Sequence, residues 1–280
     1  MRNARARAPA APWLTPATMA EAFFWPALLL YGEAAVAYAA NVRYPGRAGR
    51  LATWGVRFGW LAQTALLGVQ AARADGFPWT SWAGSLNLFT WLVVVAYLVW
   101  GCRPRYRLLG LAVMPLVVGL LLAAWAGGGT GTQAPSSSST GFLVLHVAFV
   151  LAAFAGFTLS AGLAALYLWQ ERALKRRQAG ILRLPAPSLV TLETLVSRTI
   201  VVGLPCLTVG IVTGLIRLRR EGASIDALMI VTLITWVVYA VFLLLRYEAG
   251  WRGRRAAYLA LTGFALVLVV RLGLPLAHFS

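Results

Sequence analysis

The chain has 280 residues, of which 60% are hydrophobic and 12% are charged, and it carries a formal net charge of +17 at pH 7. A water-soluble domain could not bury so much apolar surface, so this composition excludes one. The charge does not indicate nucleic acid binding, because the basic residues lie mostly in short segments between long apolar runs. We therefore expect an integral membrane protein that contacts lipid and no nucleic acid.

Eight apolar runs follow one another along the chain. Each has roughly the 20 residues that a helix needs to cross a hydrocarbon core of about 30 Å. They occupy residues 22–40, 53–72, 81–100, 108–126, 141–169, 195–216, 227–245 and 256–278. This pattern predicts an all-α fold: a polytopic membrane protein with a bundle of about eight transmembrane helices, in one domain over residues 1–280.

Basic residues are divided unevenly between the two sides of this bundle. The segments after the first, third, fifth and seventh runs hold Arg43, Arg47, Arg50, Arg103, Arg105, Arg107, Arg172, Lys175, Arg176, Arg177, Arg183, Arg246, Arg252, Arg254 and Arg255. The opposite side holds only Arg2, Arg5, Arg7, Arg73, Arg217, Arg219 and Arg220. Because cytoplasmic segments are enriched in Lys and Arg, we predict that the richer side is cytoplasmic and that both termini are external.

Three segments are predicted to lie outside the spans. Residues 1–20 form an N-terminal tail, because prolines interrupt its apolar stretch and no convincing signal-peptide cleavage site follows. Residues 127–140 are uncharged and rich in Gly, Ser and Thr, which predicts a flexible external loop. Residues 170–192 form a basic cytoplasmic loop, into which the fifth helix is expected to continue until the prolines at 185 and 187 end it.

The chain has only two histidines, His146 and His278. His146 lies roughly 7.5 Å of helical rise inside the external end of the fifth helix, and His278 ends the eighth helix at the same boundary. Two neutral imidazoles at similar depth can fill both axial positions of a low-spin haem iron. The alternative is that each histidine is an interfacial side chain or a hydrogen-bonding partner between helices.

Two tryptophans and an arginine are further candidates at the predicted external face. Trp79 and Trp82 lie in the external segment 75–86 around the start of the third helix, where a flat porphyrin could stack on them, although tryptophans also form the ordinary interfacial belt. Arg217 begins a cluster of three cations on a side that is poor in them, and such cations pair well with carboxylates such as haem propionates. A solvated charge cluster is the alternative for Arg217.

Four ionisable residues lie within the apolar runs: Glu33, Arg57, Arg198 and Arg271. Such groups usually face the interior of a bundle, so we expect them to point inwards. There they would form an ion-pair network or, if an acidic or histidine chain accompanied them, a proton path.

Several segments, in their order and spacing, resemble one family of membrane proteins over nearly all eight helices. These segments are residues 76–86 with Trp91 and Tyr97, residues 146–175, 192–195 and 203–214, residues 234–239 with Arg246, and residues 250–253 and 276–280. The chain resembles the cytochrome c assembly membrane proteins of the CcsA/ResC/HemX type.

This resemblance implies a function in c-type cytochrome biogenesis. His146 and His278 stand where the family has its two external haem-ligating histidines, so the implied cofactor is haem of the b type, held stably or transiently. The implied partners are apocytochrome c and a second membrane protein, and the implied location is the plasma (inner) membrane. No residue is assigned a catalytic role, because thioether formation would belong to haem and to the cysteines of the apocytochrome.

The chain departs from the haem-delivering members of the family at three places. Residues 217–226 contain no tryptophan where those members have a tryptophan-rich motif, Leu244 replaces a histidine that some members carry, and Gly84 replaces an acidic residue. These departures resemble the HemX-like branch, which implies a membrane regulator of haem biosynthesis as an alternative function. A small-molecule transporter is a third possibility, against which the lack of internal repeats argues.

Overall fold

The structure, a computed structural model, describes residues 16–44, 46–73, 79, 81–101, 106–131, 141–177, 187–221 and 227–269. These residues form eight helices and no strand. The helices are α1 (Pro16–Arg43), α2 (Arg47–Arg73), α3 (Trp82–Gly101), α4 (Arg107–Ala126), α5 (Gly141–Lys175), α6 (Leu189–Glu221), α7 (Ala227–Tyr247) and α8 (Arg254–Leu268). The predicted all-α fold is confirmed.

Six of these helices are long and apolar enough to cross a membrane: α1, α3, α4, α5, α6 and α7. The other two were also predicted to span. α2 has 27 residues but includes two glutamines and several arginines, which lower its hydropathy. α8 is described over only 15 residues, fewer than a span requires. The chain is a multi-pass membrane protein.

The helices form two groups of four that are joined through α5. In the first group α1 packs on α2 and α4, and α3 packs on α4 and α2. In the second group α5 packs on α6 and α8, and α7 packs on α8 and α6. α5 also packs on α3 and α4, where a Cβ at Gly162 would lie 3.2 Å from side-chain atoms of Leu109 and Val113. α5 therefore joins the two groups.

Helices that follow one another in the chain run antiparallel, and this sets which termini share a face. Gly162, late in α5, contacts Leu109 at the start of α4, so the end of α4 and the start of α5 lie at the same end of the bundle. His146 lies near the start of α5, and we call this end the histidine face. It includes the ends of α2, α4 and α6 and the starts of α3 and α5.

The core of the second group is built around one aromatic pair. The rings of Phe157 and Tyr239 stack with their centroids 3.8 Å apart, and both are fully buried. Two glycines make room for them. A Cβ at Gly203 would lie 2.8 Å from the Phe157 ring, and one at Gly263 would lie 2.6 Å from the Tyr239 ring. Small residues thus let α6 and α8 approach the pair closely, as is usual in membrane bundles.

At the face opposite the histidine face, one carboxylate holds three elements together. Glu193 of α6 accepts a 2.8 Å hydrogen bond from the backbone N–H of Gly253 and pairs with Arg246 of α7 at 3.4 Å. Gly253 has φ +71°, a conformation that favours glycine, and it precedes α8 directly. The carboxylate therefore fixes the connection between α7 and α8 against α6.

The inward orientation expected for the charged residues within the runs is wrong for three of them. Glu33, Arg57 and Arg198 are exposed on the outer surface of the bundle. Arg57 lies over the ring of Trp54, also on the outer face of α2, with the guanidinium carbon 4.9 Å from the ring centroid. These residues form no interior ion-pair network, and Arg271 lies outside the described residues.

Candidate functional site

His146 is bound to the facing helix through one ring nitrogen. Its Nδ1 lies 2.7 Å from the carbonyl oxygen of Gly210 in α6. A carbonyl only accepts hydrogen bonds, so Nδ1 must carry the proton and the neutral ring keeps its lone pair on Nε2. Within the described part of the chain, Nε2 has no hydrogen-bond partner. The ring is half-buried.

Two glycines of α6 create the space that the imidazole occupies. A Cβ at Gly214 would lie 2.8 Å from Cε1 and 3.0 Å from Nδ1 of His146. A Cβ at Gly210 would lie 2.6 Å from a methyl group of Val150, one helical turn further along α5. Both glycines let α6 approach α5 closely enough for the Gly210 carbonyl to reach the ring. The same carbonyl also accepts a 2.9 Å hydrogen bond from the hydroxyl of Thr213.

Arg217 belongs to the same face of the same helix pair. It lies three residues beyond Gly214 in α6, and its charge acts on the His146 ring. The structure therefore brings two of the predicted site residues, a histidine and a cation, to the same end of the same helix pair.

Trp79 and Trp82 lie at the histidine face within the first helix group. Ser81 caps the start of α3, with its hydroxyl oxygen accepting a 3.0 Å hydrogen bond from the N–H of Gly84. Trp82 is the first residue of α3, and Trp79 lies three residues before it. The indole N–H of Trp79 donates a 3.1 Å hydrogen bond to Oε1 of Gln70 in α2. No contact between these tryptophans and His146 is found among the described residues.

The run of three glycines after α4 is held in a tight turn. A Cβ at Gly127 would lie 2.7 Å from the Trp82 ring, and one at Gly129 would clash with the Ala83 carbonyl. Gly128 lies between them at φ +75° and donates a 2.9 Å hydrogen bond to the Trp125 carbonyl. Each glycine thus meets a separate steric requirement. Residues 127–131 of the predicted flexible loop are therefore held in this turn, and residues 132–140 lie outside the described residues.

Gln70 is a residue of this face that the sequence did not reveal. It is only 2% exposed, and its side chain uses its full hydrogen-bonding capacity. Nε2 donates to the carbonyls of Gly129 at 3.0 Å and Gly131 at 2.8 Å. Oε1 accepts from Trp79 and, at 3.4 Å, from Asn87. The available signal was a glutamine in an apolar helix, seven residues after another glutamine.

The remaining predicted ligand, His278, lies outside the described residues, so its relation to His146 stays a prediction. The described residues hold no group of three His, Cys, Asp or Glu side chains that could bind a bare metal ion. What they do offer suits a haem iron, which takes four ligands from its porphyrin. A histidine whose Nδ1–H is held by a carbonyl is the usual arrangement of a protein ligand to a metal, and His146 has it.

The fold and this site define a class: multi-pass helical membrane proteins with a histidine near one end of the bundle. The model of the cytochrome C assembly protein family matches residues 79–278, well over half of the chain. The match begins at Trp79, ends at His278 and includes Trp82, His146 and Arg217. The chain belongs to the family of cytochrome c assembly proteins.

Three curated relatives illustrate the similarity. The chain is 26% identical to the cytochrome c biogenesis protein CcsA of Microcystis aeruginosa, over 81% of this chain and 84% of the relative. It is 28% identical to CcsA of Gloeothece citriformis, over the same shares. It is 26% identical to CcsA of Nostoc punctiforme, over 94% of each chain. The similarity therefore extends over nearly the whole length of these proteins.

Proposed function

We propose that this protein acts in c-type cytochrome biogenesis by holding haem at the histidine face through His146 and His278. The observation that carries the proposal is the hydrogen bond from His146 Nδ1 to the Gly210 carbonyl. It fixes the tautomer that can ligate iron, and a histidine that served only to join two helices would not need its second nitrogen free.

The remaining parts of the site have supporting roles. Haem would supply an iron with two axial positions for imidazoles and a flat ring with two carboxylates. Arg217 is suited to pair with a propionate, and Trp79 and Trp82 are suited to stack on the porphyrin. Catalysis is not required of these residues, because they orient and ligate.

We further propose that the protein works in the plasma (inner) membrane, with its histidine face external. A second membrane protein would present apocytochrome c to it. The relatives named above are cytochrome c biogenesis proteins, which supports this assignment. Crosslinking in native membranes should yield an adduct with another membrane protein of cytochrome c assembly. If the protein forms crosslinks only with other copies of itself, this part of the proposal is contradicted.

The absorption spectrum of the detergent-purified protein tests the haem proposal. We expect a Soret band and low-spin bands on reduction. His146→Ala and His278→Ala should each remove most of the bound haem, and added imidazole should restore much of it by filling the vacant axial position. Val150→Ala is the matched control, because it removes bulk one turn away on α5 and leaves both histidines in place. Protein expressed with abundant haem that shows no Soret band dependent on either histidine would refute the proposal.

A second candidate is a membrane regulator of haem biosynthesis that acts through the basic segment 170–192. It is favoured by the lack of tryptophan in residues 217–226 and by Leu244, which is 61% exposed on α7. A histidine at that position would point away from the bundle, so no second haem site is available there. Neutralising the arginines of this segment should alter tetrapyrrole levels in cells under the second candidate, and should leave them unchanged under the first.

A further inference from the structure

We infer that Gln70 is a positioning residue, which orients Trp79 and anchors the turn 127–131 at the histidine face. The role of this surface toward haem rests on the proposed function, whereas the positioning itself does not. Four hydrogen bonds converge on this one side chain from three separate chain segments: residue 79, α3 and the turn after α4.

The geometry gives each half of the Gln70 amide a different task. Oε1 accepts a hydrogen bond from the indole N–H of Trp79, which precedes α3. Nε2 donates hydrogen bonds to the carbonyls of Gly129 and Gly131, which follow the end of α4. The burial of the side chain excludes water as a substitute for either set.

A second glutamine on the same helix provides a comparison. Gln63 is fully buried, accepts a 2.9 Å hydrogen bond from the Tyr31 hydroxyl and donates to Asn87 at 3.0 Å. It lies two helical turns from Gln70, in the interior of the first helix group. Gln63 and Gln70 thus have the same residue type, helix and degree of burial, but only Gln70 contacts the histidine face. A purely structural role would make the two equivalent.

Two haem-free measurements test the inference on the full-length protein. The first follows the indole N–H resonance of Trp79 in protein labelled with 15N-tryptophan, assigned by its loss in Trp79→Phe. The second follows maleimide labelling of Thr130→Cys, a position that is 4% exposed in the turn. We expect Gln70→Leu to shift the Trp79 resonance upfield and to speed labelling by about tenfold, since two hydrogen bonds that hold the turn closed are lost.

Two further variants separate positioning from general destabilisation. Gln63→Leu should affect both measurements much less, because only Asn87 links Gln63 to Gln70, even if it lowers thermal stability as much as Gln70→Leu does. Gln70→Glu keeps an acceptor for Trp79 but, as a carboxylate, loses the donor to Gly129 and Gly131, so labelling should speed up while the Trp79 resonance does not move upfield. Equal effects of Gln63→Leu and Gln70→Leu, or no effect of either Gln70 variant, would overturn the inference.

Haem binding by the same variants separates this inference from the proposed function. If both hold, Gln70→Leu should weaken haem binding as much as Trp79→Phe does, and Gln63→Leu should not. If the wild-type protein binds no haem, the proposed function fails, and the resonance and labelling measurements still decide whether Gln70 positions the face.

Discussion

The tightest test of the histidine site is the replacement of Gly214 by alanine. The new Cβ would lie 2.8 Å from Cε1 of His146, whereas carbon atoms in contact prefer about 3.5–4.0 Å, so the ring must retreat by about 1 Å. The hydrogen bond from Nδ1 to Gly210 is 2.7 Å long, and a displacement of that size stretches it beyond bonding distance. The loss is about 1 kcal/mol for the bond, together with the fixed tautomer.

We expect Gly214→Ala to weaken haem binding by about tenfold, which corresponds to about 1.4 kcal/mol, measured by titration of the purified protein and followed at the Soret band. Gly156→Ala is the matched control. It lies on α5 in the same helix pair, and its Cβ would meet only the Thr199 carbonyl at 3.8 Å, an ordinary contact. The intrinsic helix preference of alanine over glycine, about 1 kcal/mol, is common to both variants and cancels in the comparison.

Wild-type affinity in Gly214→Ala would refute the reasoning, because a displaced imidazole could not ligate iron in the same position. Equal weakening in Gly156→Ala would also refute it, since the effect would then belong to helix packing in general.

Three further predictions concern the rest of the bundle. Glu193→Gln should lower the free energy of unfolding in detergent by about 1–3 kcal/mol, because it leaves the half-buried cation Arg246 without its charge partner. Glu248→Gln, on an exposed side chain, should leave the free energy of unfolding unchanged. Gly263→Ala should lower the free energy of unfolding by about 1–3 kcal/mol, because the new Cβ overpacks against Tyr239. A melting temperature equal to that of Gly156→Ala would contradict this. A reporter active only in the cytoplasm and fused after Ser280 should stay silent, whereas activity would place the histidine face on the wrong side.

The sequence was sufficient for the number and order of the helices, because burial in lipid requires long apolar runs that are easy to recognise. It was less informative about helix ends. The apolar run in α6 begins at residue 195, yet the helix begins at Leu189, where the hydroxyl of Ser188 accepts a hydrogen bond from the N–H of Thr191. Hydropathy predicts where a helix enters the membrane, whereas capping residues mark where the helix itself begins. In α6 these two boundaries differ by about a turn and a half.

The site was predictable only as far as rare residue types reveal it. His146 could be singled out because the chain has two histidines, and Arg217 because it lies on a side poor in cations. The glycine run at 127–129 was misleading, since glycine is compatible both with a flexible loop and with close packing, and only the neighbouring Trp82 distinguishes them. The partners of Gln70 come from segments up to 61 residues away, which no local pattern encodes.

The contacts of α5 with both helix groups have a mechanical consequence. The first group meets the second through α3 and α4 against α5, so a tilt of one group relative to the other would be transmitted largely by this helix. His146 is its sixth residue and lies nearer the histidine face than Gly162, where α5 packs against α4. A partner that docked on either group could therefore shift the imidazole by leverage along α5, without touching the ring or α6.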